Sequence, residues 1–227
     1  MDIKPIETVY NGYRFRSRLE ARWAVFFDAA NIKYEYEPEG FDLGDGLYYL
    51  PDFYLPDFQV YVEIKPSLNY NDVNRKKIYK QQEAVCEKFA ETVGAIFLMR
   101  GSPWDNIWGQ LFAFFTDDDG GGSYTWEARF VDIYDYNLEG CLPIIMCMDY
   151  RTDVTIYLSS DMSIENPRVC NGSMMIRHHK RYAISMILEP MTEFYDPESR
   201  TVFNKAKTAA RQARFEHGET PRVGVRA

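Results

Sequence analysis

The sequence predicts a protein of the α/β (α+β) class, with a mixed sheet between helices, on three observations. Apolar residues recur at helical spacing in residues 17–31 and again in residues 71–92. Between these helices, residues 32–65 hold three runs of alternating apolar and polar side chains, separated by turn residues. A short, continuously apolar run at 95–99 follows the second helix. The predicted order is helix, three-stranded antiparallel meander, helix and strand, and the crossover helix makes the sheet mixed.

The first helix is predicted over residues 17–31. Ser17 is suited to be its N-cap, and Glu20, three residues later, completes a capping-box pattern. Asn31 lies near the predicted end of the helix. The apolar side chains expected on its buried face are Leu19, Trp23, Phe26 and Phe27.

The strands of the meander are predicted at 32–36, 47–55 and 59–65, with a Gly-Asp-Gly turn at 44–46. The second helix is expected to end at Gly94, because glycine commonly follows a helix. The positions of this helix region that are expected to be buried are Val73, Ile78, Val85, Phe89 and Val93.

The rest of the chain is predicted with less detail. Residues 102–115 are interpreted as an aromatic helix, or as a helix followed by a strand. Acidic residues and glycines at 117–123 predict a loop and a boundary, so that residues 1–116 form the core. Residues 117–198 are then a β-rich accessory region, and residues 199–227 a basic helical tail that frays at its end.

The charge is unevenly distributed along the chain. The 227 residues are 46% hydrophobic and carry a net charge of −8, so no global positive field of the kind found on many DNA-binding domains is expected. Residues 200–227 nevertheless hold seven of the 26 basic residues and two of the 34 acidic ones. This cationic tail is either a nucleic-acid contact or a solvated helix.

The cysteines and apolar runs predict a cytoplasmic protein with free thiols. The first ten residues lack the apolar stretch of a signal peptide, and no apolar run reaches the roughly 18 residues of a membrane span. The four cysteines form no Cys-x-x-Cys pair, so buried thiols are favoured over a zinc site. The residues that such a zinc site would draw on are Cys141, Cys147, Cys170, His178 and His179.

Ionisable residues interrupt the apolar stretch 49–66. If its turn centres near Asp57, the numbers of antiparallel partners add to 115, and Asp52 lies opposite Glu63. Lys65 shares their face of the sheet. A slip of one residue would bury all three charges, so this register is favoured. The opposite face is uniformly apolar and is predicted to be core, with Phe53, Leu55, Val60, Val62 and Ile64.

Two facing carboxylates repel each other unless a cation lies between them. Oxygen ligands on adjacent strands suit Mg²⁺ or Mn²⁺, and the carbonyl of Ile64 is a further candidate ligand. A lysine beside such a metal, here Lys65, would stabilise an attacking hydroxide or a developing phosphate charge. The alternative is an ordinary ion pair on a half-exposed sheet.

The motif formed by Pro51-Asp52, ten intervening residues and Glu63-Ile64-Lys65 resembles that of the PD-(D/E)XK nuclease superfamily. The predicted element order is similar to the restriction-endonuclease-like core of that superfamily. The resemblance to the superfamily covers residues 13–100. More narrowly, residues 15–65 resemble small nuclease-like proteins of phages and prophages, and residues 211–221 are similar to the C-terminal segments of those proteins.

The resemblance implies a role for each residue of the motif. Asp52 and Glu63 would bind the divalent metal, and Lys65 would assist the hydrolytic water. Many members add a glutamate from the first helix, and Glu20 stands at that position. Pro66 follows the lysine where many members carry glycine, so the approach of the substrate could differ.

Basic residues near these positions are candidate contacts to nucleic-acid phosphates, or else a solvated surface. They are Arg16, Arg18, Arg75, Lys76, Lys77 and Lys80. On the second helix, Gln81 or Gln82 is a candidate contact to a metal-bound water, as in some relatives.

The predicted function is that of a Mg²⁺- or Mn²⁺-dependent endonuclease that hydrolyses DNA with a metal-activated water, in the cytoplasm of a bacterial or phage-infected cell. One alternative is a nuclease fold that binds without cutting, for example a phage factor that contacts nucleic acid or a host defence protein. A second is a structure-specific junction resolvase. DNA is the predicted partner, and a homodimer and a host protein are further candidates.

Overall fold

A computed structural model describes the chain in eight segments. They are residues 6–67, 73–105, 108–117, 120–135, 140–149, 154–159, 175–176 and 200–215. Helices in these segments are α1 (Arg18–Ala29), α2 (Val73–Thr92) and α3 (Arg200–Gln212).

The described strands follow in chain order. They are β1 (Thr8–Tyr10), β2 (Tyr13–Phe15), β3 (Glu35–Tyr36), β4 (Phe41–Asp42), β5 (Tyr48–Tyr49), β6 (Phe53–Leu55), β7 (Val60–Lys65), β8 (Ile96–Arg100), β9 (Trp108–Asp117), β10 (Gly120–Asp135), β11 (Gly140–Asp149), β12 (Val154–Ser159) and β13 (Met175–Ile176).

The main sheet has the order β12-β11-β10-β9-β8-β7-β6-β3, with β13 paired to β9. Strands β7 and β8 are parallel and are joined by α2, whereas the other neighbouring pairs are antiparallel. The strands β1 and β2 form a separate hairpin, as do β4 and β5. The predicted mixed α+β class is confirmed.

Helix α1 begins as its capping residues predict. Ser17 has extended backbone angles, and its Oγ accepts a hydrogen bond from the Glu20 N–H at 3.2 Å. The helix ends at Ala29, and Asn31 then adopts a left-handed conformation with φ of 57°, which asparagine tolerates better than most residues. The predicted helix at 17–31 is therefore confirmed within the usual uncertainty of helix ends.

On one face of the sheet, α1 and α3 cover an aromatic core. Phe27 of α1 packs against Phe53 of β6 with ring centroids 5.4 Å apart, and Phe203 of α3 stacks on Phe26 of α1 at 5.7 Å. The strand side chains that enter this core from β6 and β7 are Phe53, Leu55, Val60, Val62 and Ile64. The predicted apolar face of the hairpin is thus confirmed.

On the opposite face, α2 packs on β7 and β8. Phe89 of α2 contacts the ring of Tyr61, with centroids 5.1 Å apart, and Leu98 belongs to the same buried cluster. The β4–β5 hairpin closes this cluster, because Phe41 and Tyr49 both pack against Phe89. Ile78, which was expected to be buried, is 44% exposed on α2.

Strands differ from prediction where the backbone chemistry overrides the pattern. The strand predicted at 47–55 is divided into β5 and β6 around Pro51, which has no N–H to donate to a ladder. The helix predicted within 102–115 is wrong in the described residues, where β9 begins at Trp108. A side chain cannot be accommodated at Gly109, since a Cβ there would lie 2.4 Å from the Leu98 carbonyl oxygen.

Beyond β9, the sheet continues across the predicted boundary. Asp117 pairs with Gly120, so the loop predicted at 117–123 is shorter than expected because its glycines join β10. Within the β-rich region predicted at 117–198, the described strands are β10, β11, β12 and β13. The helical tail predicted at 199–227 contains α3, and residues 216–227 lie outside the described residues.

Candidate functional site

The β6–β7 hairpin places two carboxylates side by side. Its ladder joins Phe53 to Val62 and Leu55 to Val60, so the partner numbers add to 115 as predicted. Asp52 stands just before β6, and Glu63 lies in β7 on the face that α2 covers. Each of these two residues is 3% exposed.

Both oxygens of Asp52 are engaged. Oδ2 accepts a hydrogen bond from the backbone N–H of Ile64 at 2.8 Å, and Oδ1 accepts one from Nη2 of Arg16 at 3.1 Å. The side chain of Ile64 enters the core on the opposite face. The bond to Ile64 fixes Asp52 beside Glu63, because it ties the carboxylate to the backbone of the neighbouring strand.

Glu63 has one paired oxygen and one unpaired oxygen. Its Oε1 contacts Nζ of Lys65 in an ion pair. Its Oε2 is buried and has no hydrogen-bond partner in the described part of the chain. Buried polar atoms are nearly always satisfied, so this carboxylate oxygen is available to accept a further hydrogen bond or to bind a cation.

The electrostatics of the site are those of two buried acids that each have a basic neighbour, Lys65 beside Glu63 and Arg16 beside Asp52. Burial and the charge of Glu63 raise the pKa of Asp52 to about 8. Burial opposes the charge on Lys65, but the carboxylates of Glu63 and Asp52 outweigh it and raise the lysine pKa. Lys65 therefore stays an ammonium group.

Two further residues face Glu63 from outside the hairpin. Burial, and then the charge of Glu63, raise the pKa of Tyr49 well above its ordinary value, and the same causes raise that of Cys86 to about 12. The hydroxyl of Tyr49 therefore lies close to Glu63. Sequence reasoning missed both residues. No sequence pattern connects Tyr49 and Cys86 to the acidic pair, since the β4–β5 hairpin and α2 bring them to the site only in the folded protein.

Glu20 lies near the pair but is already satisfied. Its Oε1 accepts from Ser17 Oγ at 2.6 Å, and its Oε2 accepts from the Tyr36 hydroxyl at 2.6 Å and from the Arg16 N–H at 3.1 Å. The charge of Glu20 contributes to the raised pKa of Asp52, so the two carboxyls are neighbours. A metal at Glu20 would share the carboxylate with these three hydrogen bonds.

The basic candidates divide into two groups. Arg16 is at the site, and Arg18 is the first residue of α1 and half-buried. The lysines at 76, 77 and 80 are exposed on α2, where they line a surface depression of about 460 Å³. The side chain of Arg75 lies outside the described residues.

Of the two glutamines on α2, Gln81 is exposed. Gln82 has a buried Oε1 without a hydrogen-bond partner among the described residues. Gln82 precedes Cys86 by one helical turn, and the two residues therefore lie on the same side of α2.

The donor set fits a small hard cation with an open coordination sphere. Among the described residues, no group of three or more His, Cys, Asp and Glu side chains is arranged to hold a metal ion. Mg²⁺, however, is commonly held by one or two carboxylates and completes its shell with water and substrate phosphate. Asp52 and Glu63 supply two such carboxylates, and one oxygen of Glu63 is unpaired among the described residues.

Comparison with known proteins adds no relative. No protein-family model matches the sequence, and no curated protein matches it. The described helices include none that is long and apolar enough to span a membrane. Fold and site define a mixed α+β protein in which an Asp–Glu–Lys cluster lies on the antiparallel β6–β7 hairpin, at the end away from its turn.

Proposed function

We propose that this protein is a metal-dependent nuclease that hydrolyses DNA phosphodiester bonds, with a core of the restriction-endonuclease-like type. The observation that carries the proposal is the buried pair of Asp52 and Glu63 beside Lys65, with one glutamate oxygen left unpaired. Burying two carboxylates side by side, with Glu20 as a third neighbour, is costly even beside Lys65 and Arg16, so such a site favours a further cation.

The element order supports the same class. Helix α1 precedes an antiparallel set of β3, β6 and β7, and α2 then leads to β8, which is parallel to β7. This is the order that the motif predicts for the core of such nucleases. Fold alone does not determine function, so the proposal depends on the site.

In the proposed mechanism, Asp52 and Glu63 hold one Mg²⁺, with the Ile64 carbonyl or Glu20 as candidates for a further position. When bound, the metal would lower the pKa of a coordinated water and polarise the phosphate. Lys65 is kept protonated by its two carboxylate neighbours and would stabilise negative charge that develops on the phosphate oxygens. Tyr49 would hold Glu63 in place, as groups outside the first coordination shell commonly do.

The direct test uses supercoiled plasmid and linear, nicked, flapped and four-way DNA, each with Mg²⁺, Mn²⁺ or chelator. We expect cutting that requires metal and falls by at least about 100-fold in Glu63→Gln and Lys65→Ala. Asp57→Asn is the matched control. Asp57 also follows a Leu-Pro pair but lies in the turn, where it pairs with Lys33 at 3.3 Å.

The outcome that contradicts the proposal is no cutting of any substrate, or equal cutting by wild type and Glu63→Gln. Preference for four-way or flapped DNA over plasmid would instead indicate a structure-specific resolvase.

One observation favours a second candidate, a nuclease fold that binds without cutting. Arg16 already neutralises Asp52, and Glu20 is used in hydrogen bonds, so a metal has fewer open oxygens than the motif suggests. This candidate predicts DNA or protein binding that is unaffected by chelator and by Glu63→Gln.

A further inference from the structure

The guanidinium of Arg16 bridges two acidic side chains at the edge of the site. Its Nη2 lies 3.1 Å from Oδ1 of Asp52, and its Nε forms an ion pair with Glu37. The side chain of Arg16 is 55% exposed, whereas that of Asp52 is 4% exposed. Arg16 therefore reaches from solvent onto a buried carboxylate.

The backbone of Arg16 is held independently of its side chain. Its N–H donates to Oε2 of Glu20 at 3.1 Å and to the hydroxyl of Tyr36 at 2.9 Å. The Tyr36 ring in turn lies 4.4 Å from that of Phe15, within the aromatic core. The guanidinium can consequently leave Asp52 without any change in the chain that carries it.

A metal and this guanidinium would both lie against the same carboxylate. Oδ2 of Asp52 accepts from the Ile64 N–H and Oδ1 accepts from Arg16, so a cation shared with Glu63 would bind a carboxylate that already carries the guanidinium charge. Two positive groups at one buried carboxylate repel each other. Metal binding therefore favours release of Arg16 into solvent or onto another anion.

We propose that Arg16 is a placeholder cation that holds Asp52 in the metal-free protein and moves onto a phosphate of duplex DNA when metal and substrate bind. This inference rests on the proposed function. A guanidinium matches carboxylate and phosphate geometry equally well, so the exchange replaces one charge-assisted pair by another. Because linkage is reciprocal, metal and DNA then bind with positive cooperativity that depends on Arg16.

The first experiment measures Mn²⁺ affinity of the full chain without DNA, by titration calorimetry or by the electron paramagnetic resonance of free Mn²⁺. Arg16→Ala and Arg16→Gln are expected to bind Mn²⁺ about 5- to 10-fold more tightly than wild type, since each removes a competing charge. Arg14→Ala is the matched control and should not change the affinity, because Arg14 is 75% exposed and pairs with Glu7. Thermal melts of all variants establish that each is folded.

The second experiment measures the affinity for a short duplex by fluorescence anisotropy, in chelator and in Ca²⁺. In chelator, Arg16→Gln should change the affinity less than about twofold, because the wild-type arginine is retained by Asp52. In Ca²⁺, the same variant should bind the duplex about fivefold or more weakly than wild type, since the released arginine reaches a phosphate.

The inference is overturned if both Arg16 variants bind Mn²⁺ no more tightly than wild type. If the variants give this result while the wild type cuts DNA in the presence of metal, the inference about Arg16 is wrong but the proposed function stands. If the wild type binds no Mn²⁺ at all, the proposed metal centre fails and the exchange fails with it.

Discussion

Replacing Asp52 by asparagine should stabilise the metal-free protein while abolishing its stabilisation by Mg²⁺. Asparagine is almost the same size, and its carbonyl oxygen can still accept the Ile64 N–H that now bonds to Oδ2 at 2.8 Å. What the substitution removes is an acid that folding places in a buried site next to Glu63. It also removes one of the two carboxylates that would hold the cation.

The magnitude follows from the raised pKa of Asp52 and from one lost hydrogen bond. Burial and Glu63 raise the pKa of Asp52 from 3.8 to about 8. At pH 7 this corresponds to roughly 4 kcal/mol against folding, at about 1.4 kcal/mol for each pH unit between 3.8 and 7. Against this, the amide presents a donor to the Arg16 donor now 3.1 Å from Oδ1, which costs about 2 kcal/mol. The net gain is about 2 kcal/mol, or roughly 4–8 °C in melting temperature for a chain of this size.

The assay is a thermal melt followed by circular dichroism in chelator and in 10-fold steps of Mg²⁺, for wild type, Asp52→Asn and Asp57→Asn. We expect the wild type to be less stable than Asp52→Asn in chelator and to gain stability with Mg²⁺, whereas Asp52→Asn gains none. Asp57→Asn should behave like wild type, since Asp57 pairs with Lys33 at the surface. A melting temperature that falls in chelator for Asp52→Asn would refute the reasoning, because it would mean that the carboxylate stabilises the fold without a metal.

Three other predictions test the surroundings of this pair. Because the folded pKa of Asp52 is raised, its contribution to stability is present below about pH 4 and is lost as the pH rises to about 8. In chelator, the melting temperature of the wild type should therefore fall across this window, and Mg²⁺ should stabilise the protein more at pH 8 than at pH 5.5. Stabilisation by Mg²⁺ that does not change with pH would contradict the assignment. Tyr49→Phe should weaken Mn²⁺ binding about 10-fold in calorimetry and leave the melting temperature within a few degrees, since it removes the hydroxyl that faces Glu63 but keeps the ring on Phe89; unchanged affinity would exclude a positioning role. Gly109→Ala should destabilise the protein by about 2–3 kcal/mol in urea titration, because its Cβ would lie 2.4 Å from a carbonyl oxygen of β8, and a neutral result would argue against the β8–β9 pairing.

The hairpin at the site could be predicted from sequence because its information is local. Side chains alternate with period two, and the apolar set from Val60 to Ile64 allows one register without burying charges. The turn near Asp57 then fixes which residues face each other. Asp52 and Glu63 were located by the same arithmetic, so both the fold of this segment and its acidic pair followed from a few adjacent residues.

The strand β9 and the contacts of Tyr49 and Arg16 could not be predicted from the local sequence pattern, because they depend on segments that are distant in the chain. Residues 109–114 are as compatible with an aromatic helix as with a strand, and the choice is made by the ladder to β8 and by the missing side chain at Gly109. Tyr49 reaches Glu63 through the packing of a hairpin on Phe89, which alternation in the sequence does not encode. The charge of Arg16 and its position just before Glu20 predict a DNA contact, whereas its contact with Asp52 depends on where α1 meets the sheet.

The aromatic core explains how the chain tolerates so costly a site. The residues on the α1 face of β6 and β7 are fully buried or nearly so, and each large side chain buried there contributes roughly 1.5–3 kcal/mol. Asp52 and Glu63 project from the other face of the same two strands, so the core that stabilises the hairpin also fixes the distance between the carboxylates. Such a pair would relax apart on a mobile loop, because repulsion would separate it. The rigidity of the hairpin therefore keeps the acids close enough to share one cation. The protein can be stable without metal even though the metal-free site destabilises it, because the core outweighs the cost of the site.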